Sequence, residues 1–218
     1  MTEERASGVV LRIHPYGDTS VILYWLTAEQ GRLATLAKGA RRPKSPLHGK
    51  LDLLSAGDFS FVPARRSSLH TLREFSPEQR YLGLRSDYGK LVQVAYAVAL
   101  LERATESDTP LPEQYELFRS WLEQLERQPA QPRMIYAWEA RLLESLGVDP
   151  SEAAASLRPE VSKLLQDLLT RDWEELAGLK ATGPVVRQLS EFLRRRLVEA
   201  IGAVPSSRTD AISLRPEG

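Results

Sequence analysis

The hydrophobic period of this chain of 218 residues changes near residue 76, and that change restricts the folds open to it. Before residue 76, apolar and polar residues alternate in short runs; in residues 8–14, for example, Val9, Leu11 and Ile13 share one face. Alternation of this kind is typical of half-buried β-strands. Beyond residue 76, apolar residues recur at spacings of three and four, which is typical of amphipathic helices. The sequence therefore predicts an α+β protein in which a strand region precedes an all-α region.

The strand region contains five short runs rich in β-branched and aromatic residues, which predict strands. They cover residues 8–14, 20–27, 32–38, 58–62 and 69–75. Clusters of turn-forming residues, such as Pro15-Tyr16-Gly17-Asp18 and Glu29-Gln30-Gly31, separate the first three runs. Five short strands over about 70 residues predict a small, closed or nearly closed β-barrel.

The helical region is predicted to begin at Ser76. There Ser76-Pro77-Glu78-Gln79 offers a serine N-cap, a proline at the first helical position and a glutamine that completes a capping box. Apolar stripes predict several helices beyond it, one of which ends at Gly147, and the last of which covers residues 184–201 and ends at Gly202. From these signals we predict a barrel domain over residues 1–78, a helical domain over 79–203 and a flexible tail over 204–218.

The composition argues against several classes of protein. Because the chain has no cysteine, it has no disulfide scaffold, no thiolate metal site and no cysteine nucleophile. The three histidines lack partners at the spacing of metal ligands, and the glycine-flanked serine of a hydrolase is missing. We therefore expect no enzymatic activity, no cofactor and no metal. Because no apolar run approaches the length of a membrane span and the N-terminus lacks a signal-peptide pattern, we expect a cytoplasmic protein without membrane contact.

The charged residues are unevenly distributed, although 29 basic and 29 acidic side chains balance overall. Residues 1–80 have 12 basic and 8 acidic side chains, whereas residues 81–218 have 17 basic and 21 acidic ones. Between Glu29 and Asp52 there is no acidic residue, but there are six basic ones. Such asymmetry points to nucleic acid or a membrane surface as a partner.

The basic stretch is predicted to be an exposed loop, because Pro43 and Pro46 keep it from forming a helix or a central strand. A loop that has only positive charges and lies beside a small barrel fits a polyanion site. The alternative is a solvated loop that only aids solubility. We expect DNA to contact the cations of this stretch and those on or beside the later strands. These candidate DNA-binding residues are Arg32, Lys38, Arg41, Arg42, Lys44, Lys50, Arg65, Arg66 and Arg73.

Aromatic residues of the same region have two interpretations. Tyr16, Tyr24, Trp25, Phe59 and Phe61 either stack on unpaired bases while cations follow the phosphates, or fill the barrel core. For Trp25 and Phe61 the core is the favoured interpretation.

Several segments, taken in order, are similar to one protein family. They cover residues 8–11, 16–20, 27–33, 37–45, 51–54 and 138–150. Among them, Lys38-Gly39-Ala40-Arg41 is similar to a loop of lysine, glycine, any residue, and arginine or lysine. Through these segments the chain resembles RecO, a family of bacterial recombination mediators and strand-annealing proteins.

This resemblance implies an N-terminal OB-fold, an α-helical domain and no enzymatic turnover. It also implies binding of single- and double-stranded DNA, annealing of complementary strands, and help in loading a recombinase onto coated single strands during repair, in the cytoplasm at the nucleoid. The implied partners are the RecR protein and the single-stranded-DNA-binding protein, the latter through its acidic C-terminal tail.

One segment departs from the pattern of the family. Many members have a four-cysteine zinc module just after the part that matches Leu146-Gly147-Val148-Asp149-Pro150. Here Ser151-Glu152-Ala153-Ala154-Ala155-Ser156 takes that place. We therefore expect a variant that lacks the module and its structural zinc.

A second basic cluster, Arg194-Arg195-Arg196, lies near the end of the last predicted helix, where the helix dipole also favours cations. One interpretation is a solvated helix face; the other is a basic rim for an acidic, aromatic-ended peptide such as the tail. Alternative rims for that peptide are Arg119, Arg133 and Arg141. Two other functions remain open for the whole chain: an adaptor that works through its helices, and an RNA-binding barrel that recognises 2′-hydroxyl groups.

Overall fold

The computed structural model describes residues 2–151 and 157–214, and in these ranges it has the predicted order of a barrel followed by helices. The strands are β1 Glu4–Tyr16, β2 Ser20–Thr27, β3 Arg32–Ala37, β4 Ala56–Val62 and β5 Leu69–Gln79. The helices are α1 Tyr88–Ala104, α2 Pro112–Arg127, α3 Pro132–Ser145, α4 Pro159–Thr170, α5 Gly183–Ile201 and α6 Arg208–Ser213. Short 3₁₀ helices cover Leu82–Leu84 and Glu175–Gly178. The α+β fold class is confirmed.

The strands close into a barrel in the order β1-β2-β3-β5-β4. All neighbouring pairs are antiparallel except β3 and β5, which run parallel. A closed barrel of five strands with this order is consistent with the OB-fold. Its core holds Trp25, whose ring stacks on Phe59 at 4.2 Å between centroids and whose Nε1 donates to Thr35 Oγ1 at 2.8 Å. The core interpretation of Trp25 and Phe61 is therefore correct.

The predicted helix start at Ser76 is wrong, because β5 continues through these residues to Gln79. Pro77 pairs with Gly57, and Gln79 pairs with Ala56, so that Glu78 is the extra residue of a bulge. A bulge tolerates a proline, which has no N–H for the sheet. Proline at a helix start and proline at a bulge give the same local pattern. The first α-helix begins instead at Tyr88, where the Asp87 carboxylate accepts a hydrogen bond from the Lys90 amide at 3.0 Å.

The division of the chain into compact units differs from the predicted boundaries. One unit comprises the residues up to Tyr81 together with Glu106–Arg119, and the other comprises Leu82–Thr105 and the residues from Ser120 onward. In the first unit, the Leu111 amide donates to Ala28 O at 2.9 Å, and the Asp108 amide donates to Arg32 O at 3.0 Å. Gly31, with a φ of 66°, has no room for a side chain, because a Cβ there would lie 1.8 Å from Thr109 O. These contacts join residues distant in sequence, so local patterns did not reveal them.

The second of these units, which we call the helical unit, contains a buried ion pair. The Arg208 guanidinium donates from Nε and Nη2 to the two Glu139 carboxylate oxygens, at 2.6 and 2.8 Å. The Tyr96 hydroxyl donates to the same carboxylate at 2.5 Å, and burial raises the pKa of Tyr96, with the Glu139 charge adding to the effect. Glu139 and Tyr96 are inaccessible to solvent, and Arg208 is 8% exposed.

The prediction of a flexible tail over residues 204–218 does not hold for residues 208–213, because Arg208 belongs to this ion pair. Residues 208–213 form α6, whose Ala211 is fully buried. In addition, the Gln93 side-chain amide donates to Ala211 O at 3.1 Å. A six-residue helix is too short to show a hydrophobic period, so the sequence did not indicate it. Residues 215–218 lie outside the described part of the chain, as do residues 152–156 in place of the zinc module.

Two further observations concern the described residues alone. No group of three or more histidine, aspartate or glutamate side chains there is arranged to hold a metal ion. No helix in that part of the chain combines the length and the apolar character needed to span a bilayer.

Candidate nucleic-acid interface

The connection between β3 and β4 begins with residues 38–50, which we call the basic loop. Its backbone folds into successive tight turns. The Arg42 amide donates to Gly39 O at 3.0 Å, the Ser45 amide to Arg42 O at 2.9 Å, and the His48 amide to Ser45 O at 3.0 Å. The loop is thus held in a defined conformation by its own hydrogen bonds.

The basic loop is anchored to the barrel by two buried side chains and two hydrogen bonds. Ala40 and Leu47 are buried and belong to the barrel core. The Gly39 amide donates to the Ser20 hydroxyl oxygen at 3.0 Å, and the Arg41 amide donates to Thr19 O at 2.8 Å. The sequence did not indicate that Thr19 and Ser20 support the loop, because these contacts join the start of β2 to a loop that follows β3.

The basic loop contains five cations and no acidic residue. They are exposed, and in the described part of the chain their side chains have no ion pair and no hydrogen bond: Lys38, Arg41, Arg42, Lys44 and Lys50. In the helical unit, by contrast, several arginines are paired with acids, such as Arg171 with Asp167 and Arg196 with Glu199. Unpaired charges of one sign on a small surface create a positive potential that attracts polyanions.

The structure groups only some of the other predicted DNA-binding residues with the loop. Because β3 and β5 are parallel and Leu36 pairs with Thr71, continuing this register places exposed Arg73 level with Lys38. Arg73 also occupies a bulge opposite β4, between the pairs Phe61–Leu72 and Ser60–Glu74. A bulge changes the direction of its side chain.

Arg65, Arg66 and Arg32 are set apart from the loop. Arg65 and Arg66 are exposed, but they precede Leu69, which pairs with Ala34, and so lie towards the opposite end of β3. Arg32 is half-buried, it has further interactions within the chain, and its carbonyl oxygen accepts a hydrogen bond from the Asp108 amide. The compact basic surface therefore consists of the basic loop and Arg73.

Two aromatic side chains lie outside the barrel. Tyr16, at the end of β1, is 54% exposed, and Tyr24, on β2, is 38% exposed. The Tyr24 ring meets the His14 ring edge-on at 5.5 Å between centroids. Since Trp25, Phe59 and Phe61 are buried, these two tyrosines are the aromatic candidates that are accessible to bases.

The barrel also has an acidic surface. A shallow pocket of about 430 Å³ is lined in part by Glu29, Asp58 and Glu74. Asp58 and Glu74 are exposed on β4 and β5. Exposed Arg5 lines the same pocket, so acidic and basic side chains are mixed there, whereas residues 38–50 include no acid.

Arg133 and Arg141 are engaged within the helical unit. Arg133 Nη1 donates to the carbonyl oxygens of Ala177 and Leu179 at 2.6 and 2.7 Å. Arg141 Nε donates to Leu168 O at 2.9 Å, and its guanidinium lies 3.9 Å from the centroid of the Trp173 ring. Burial lowers the pKa of Arg141. Both side chains therefore help to hold the fold together.

The remaining candidates for peptide binding differ in their neighbours. Arg119 lies 5.7 Å from the Tyr115 ring centroid and 3.9 Å from the Glu116 carboxylate. Arg194 and Arg195 line a pocket of about 390 Å³ together with Leu157, Phe192 and Val198. Glu191 and Glu199 line this pocket as well, and Arg195 and Arg196 pair with Glu199 at 4.0 and 2.6 Å.

Comparison with known proteins links both parts of the chain to one family. A family model described as Recombination protein O N terminal matches residues 1–81, and one described as Recombination protein O C terminal matches residues 85–152. The chain is 30% identical over 156 residues to DNA repair protein RecO of Pelobacter propionicus, covering 72% of this chain and 63% of that protein. It is 30% identical over 146 residues to DNA repair protein RecO of Bacillus subtilis, covering 67% of this chain and 56% of that one.

The extent of these matches differs between relatives. DNA repair protein RecO of a Cyanothece species is 29% identical over 214 residues, covering 95% of this chain and 71% of that protein. The chain spans less than two thirds of the relatives from Pelobacter propionicus and Bacillus subtilis.

Proposed function

The chain belongs to the RecO family of DNA repair proteins, and from this premise we propose that it is a DNA-binding recombination mediator. It binds single- and double-stranded DNA through the basic loop and Arg73, and it anneals complementary strands. It also helps to load a recombinase onto single strands coated by the single-stranded-DNA-binding protein. Its place of action is the cytoplasm, at the nucleoid.

The observation that supports this proposal best is the set of exposed, unpaired cations on the basic loop. Lysine and arginine side chains that neutralise phosphates release condensed counterions, and this release drives binding without regard to sequence. Because Ala40 and Leu47 fix the loop on the barrel, the cations are held together before DNA arrives. Less conformational freedom is then lost on binding.

Strand annealing follows from the same surface without a catalytic residue. Two complementary strands repel each other through their phosphates, and a basic surface screens that repulsion. The bases stay free to pair because the cations contact the backbone. We therefore propose that this protein acts without enzymatic turnover.

The lysines of the chain provide a direct test of where DNA binds. Of six lysines, Lys38, Lys44 and Lys50 are exposed on the basic loop, and Lys163 and Lys180 are exposed in the helical unit. The sixth, Lys90, is buried and donates to Glu126 O at 2.9 Å. We expect saturating single-stranded DNA to protect the three loop lysines from acylation severalfold, measured by mass spectrometry. Lys163 and Lys180 are the internal controls; protection of these two without the loop lysines would refute the proposed site.

The helical unit is proposed to bind the acidic tail of the single-stranded-DNA-binding protein, and RecR is proposed as a further partner. The pocket lined by Arg194 and Arg195 supports the first proposal, because the apolar side chains of Phe192 and Val198 line it as well. Calorimetry with an acidic, aromatic-ended peptide is expected to give heat at micromolar concentrations, and Arg194→Glu is expected to reduce it. Arg187→Ala on the same helix is the control, and absence of heat with the unmodified protein contradicts this assignment.

The alternatives predict different behaviour. An RNA-binding barrel would prefer RNA over DNA of the same sequence. An adaptor that works only through its helices would not retain DNA at low salt. The unpaired cations of the basic loop favour DNA binding over the adaptor, because an adaptor requires no such surface.

A further inference from the structure

A pocket of about 370 Å³ lies between the basic loop and the neighbouring end of the barrel. It is lined by Ile13, Val21, Ala40, Arg41, Leu47, His48, Gly49 and Leu51. Its volume is within the range of about 300–1,000 Å³ that is usual for small-molecule sites. The loop contributes most of this lining, and β1 and β2 contribute Ile13 and Val21.

The pocket has an apolar interior and a basic rim. Val21, Ala40 and Leu47 are buried in the barrel core, and Ile13 and Leu51 are half-buried and pack against it. Arg41 and His48 are exposed at the rim. Within the part of the chain that the structure describes, neither rim side chain has an ion pair or a hydrogen bond to the protein.

We propose that this pocket accepts one unpaired nucleobase of a nucleic acid strand whose phosphates are bound by the basic loop; the inference rests on the proposed function. The surrounding cations select a polyanion, whereas the apolar interior excludes charged groups. An unpaired base meets both requirements, since it is an uncharged, flat group attached to a charged backbone. Arg41 is placed to contact the adjoining phosphate while the base meets Leu47 and Leu51.

The pocket gives the protein a physical reason to favour single strands. In a duplex every base is stacked and paired, so a base reaches a pocket only after it leaves the stack. In a single strand the base is available without that step, and contact with an apolar or flat surface stabilises the complex for any base. The phosphate contacts alone are shared by both forms of DNA.

The test compares strands that differ only in their bases. The probes are an oligothymidylate and an abasic strand of equal length, which have the same number of phosphates and so the same counterion release. The protein is expected to bind the oligothymidylate at least about tenfold more tightly, measured by fluorescence anisotropy. Leu51 directly follows the basic loop and lines the pocket. Leu51→Trp fills the pocket from this side, and we expect it to reduce the ratio of the two affinities about fivefold. Its affinity for the abasic strand should not change.

A second variant keeps the test independent of any one substitution. Ile13→Phe fills the same pocket from β1, and unchanged binding of the abasic strand shows that each variant is folded with its cations in place. An unchanged affinity ratio in the folded variants contradicts the proposed base pocket, but it does not contradict DNA binding by the basic loop. The same result is expected if the pocket binds an apolar peptide side chain instead of a base. Failure of the unmodified protein to bind either strand overturns the proposed function itself.

Discussion

Replacing Arg208 with alanine is expected to lower the free energy of unfolding by about 3–5 kcal/mol, because the buried Glu139 carboxylate loses its partner. Glu139 is inaccessible to solvent and accepts two hydrogen bonds from Arg208. Although burial alone lowers the pKa of Arg208, its hydrogen bonds and ion pair with Glu139 raise that pKa overall. The guanidinium is therefore charged at neutral pH. Urea unfolding followed by circular dichroism measures the effect.

The chain offers a matched control for this loss. Arg127 and Glu174 form an ion pair of 3.6 Å, but their side chains are 67% and 72% exposed. Since exposed pairs contribute little, Arg127→Ala is expected to cost at most about 1 kcal/mol. The double variant Glu139→Met/Arg208→Met is expected to be more stable than Arg208→Ala, because it leaves no buried charge. Equal stabilities of Arg208→Ala and Arg127→Ala contradict the role given to this ion pair.

Much of the barrel was predictable because its signals are local. Alternation in β1, the β-branched and aromatic residues of β2 and the turn at Gly31 are visible within a few residues, and so is the exposure of a loop that contains Pro43 and Pro46. The absence of acids between Glu29 and Asp52 likewise predicts the basic loop from the sequence alone. These features depend on neighbours in sequence, which a single chain displays.

The remaining features depend on partners distant in sequence. From the sequence alone, Arg208 is interpreted as part of a polar tail. Its partner Glu139 is 69 residues away in the chain, and only the fold brings the two together. Arg141 is interpreted from the sequence as an available cation, but its guanidinium donates a hydrogen bond to Leu168 O and lies over the Trp173 ring. Arg32 shares the charge of the basic loop, but contacts with residues 107 and 108 set it apart. Side-chain charge is visible in a sequence, whereas its neutralisation is a property of the fold.

The largest effect on DNA is expected when Arg41, Arg42 and Lys44 are replaced together with alanine. Each cation that contacts a single strand contributes about 0.7 to the slope of log K against log salt concentration, so three contribute about 2. At about 0.1 M monovalent salt this difference corresponds to a loss of roughly 100-fold in affinity for single-stranded DNA. The three side chains are exposed and have no partner in the described part of the chain, so their removal leaves the barrel folded.

A second triple variant removes the same charge elsewhere. Lys163, Lys180 and Arg187 are exposed in the helical unit, and their replacement with alanine lowers the net charge by the same amount. This control separates contact with phosphates from the general effect of net charge. Its salt slope is expected to equal that of the unmodified protein.

The central claim is that the basic loop of the barrel carries the DNA site, and the difference in salt slope between the two triple variants tests it most directly. Fluorescence titrations of single-stranded DNA between about 50 and 200 mM salt supply both slopes. We expect the loop variant to have a slope smaller by about 2 than that of its control. Equal slopes for the two variants would contradict the assignment of the DNA site to the basic loop.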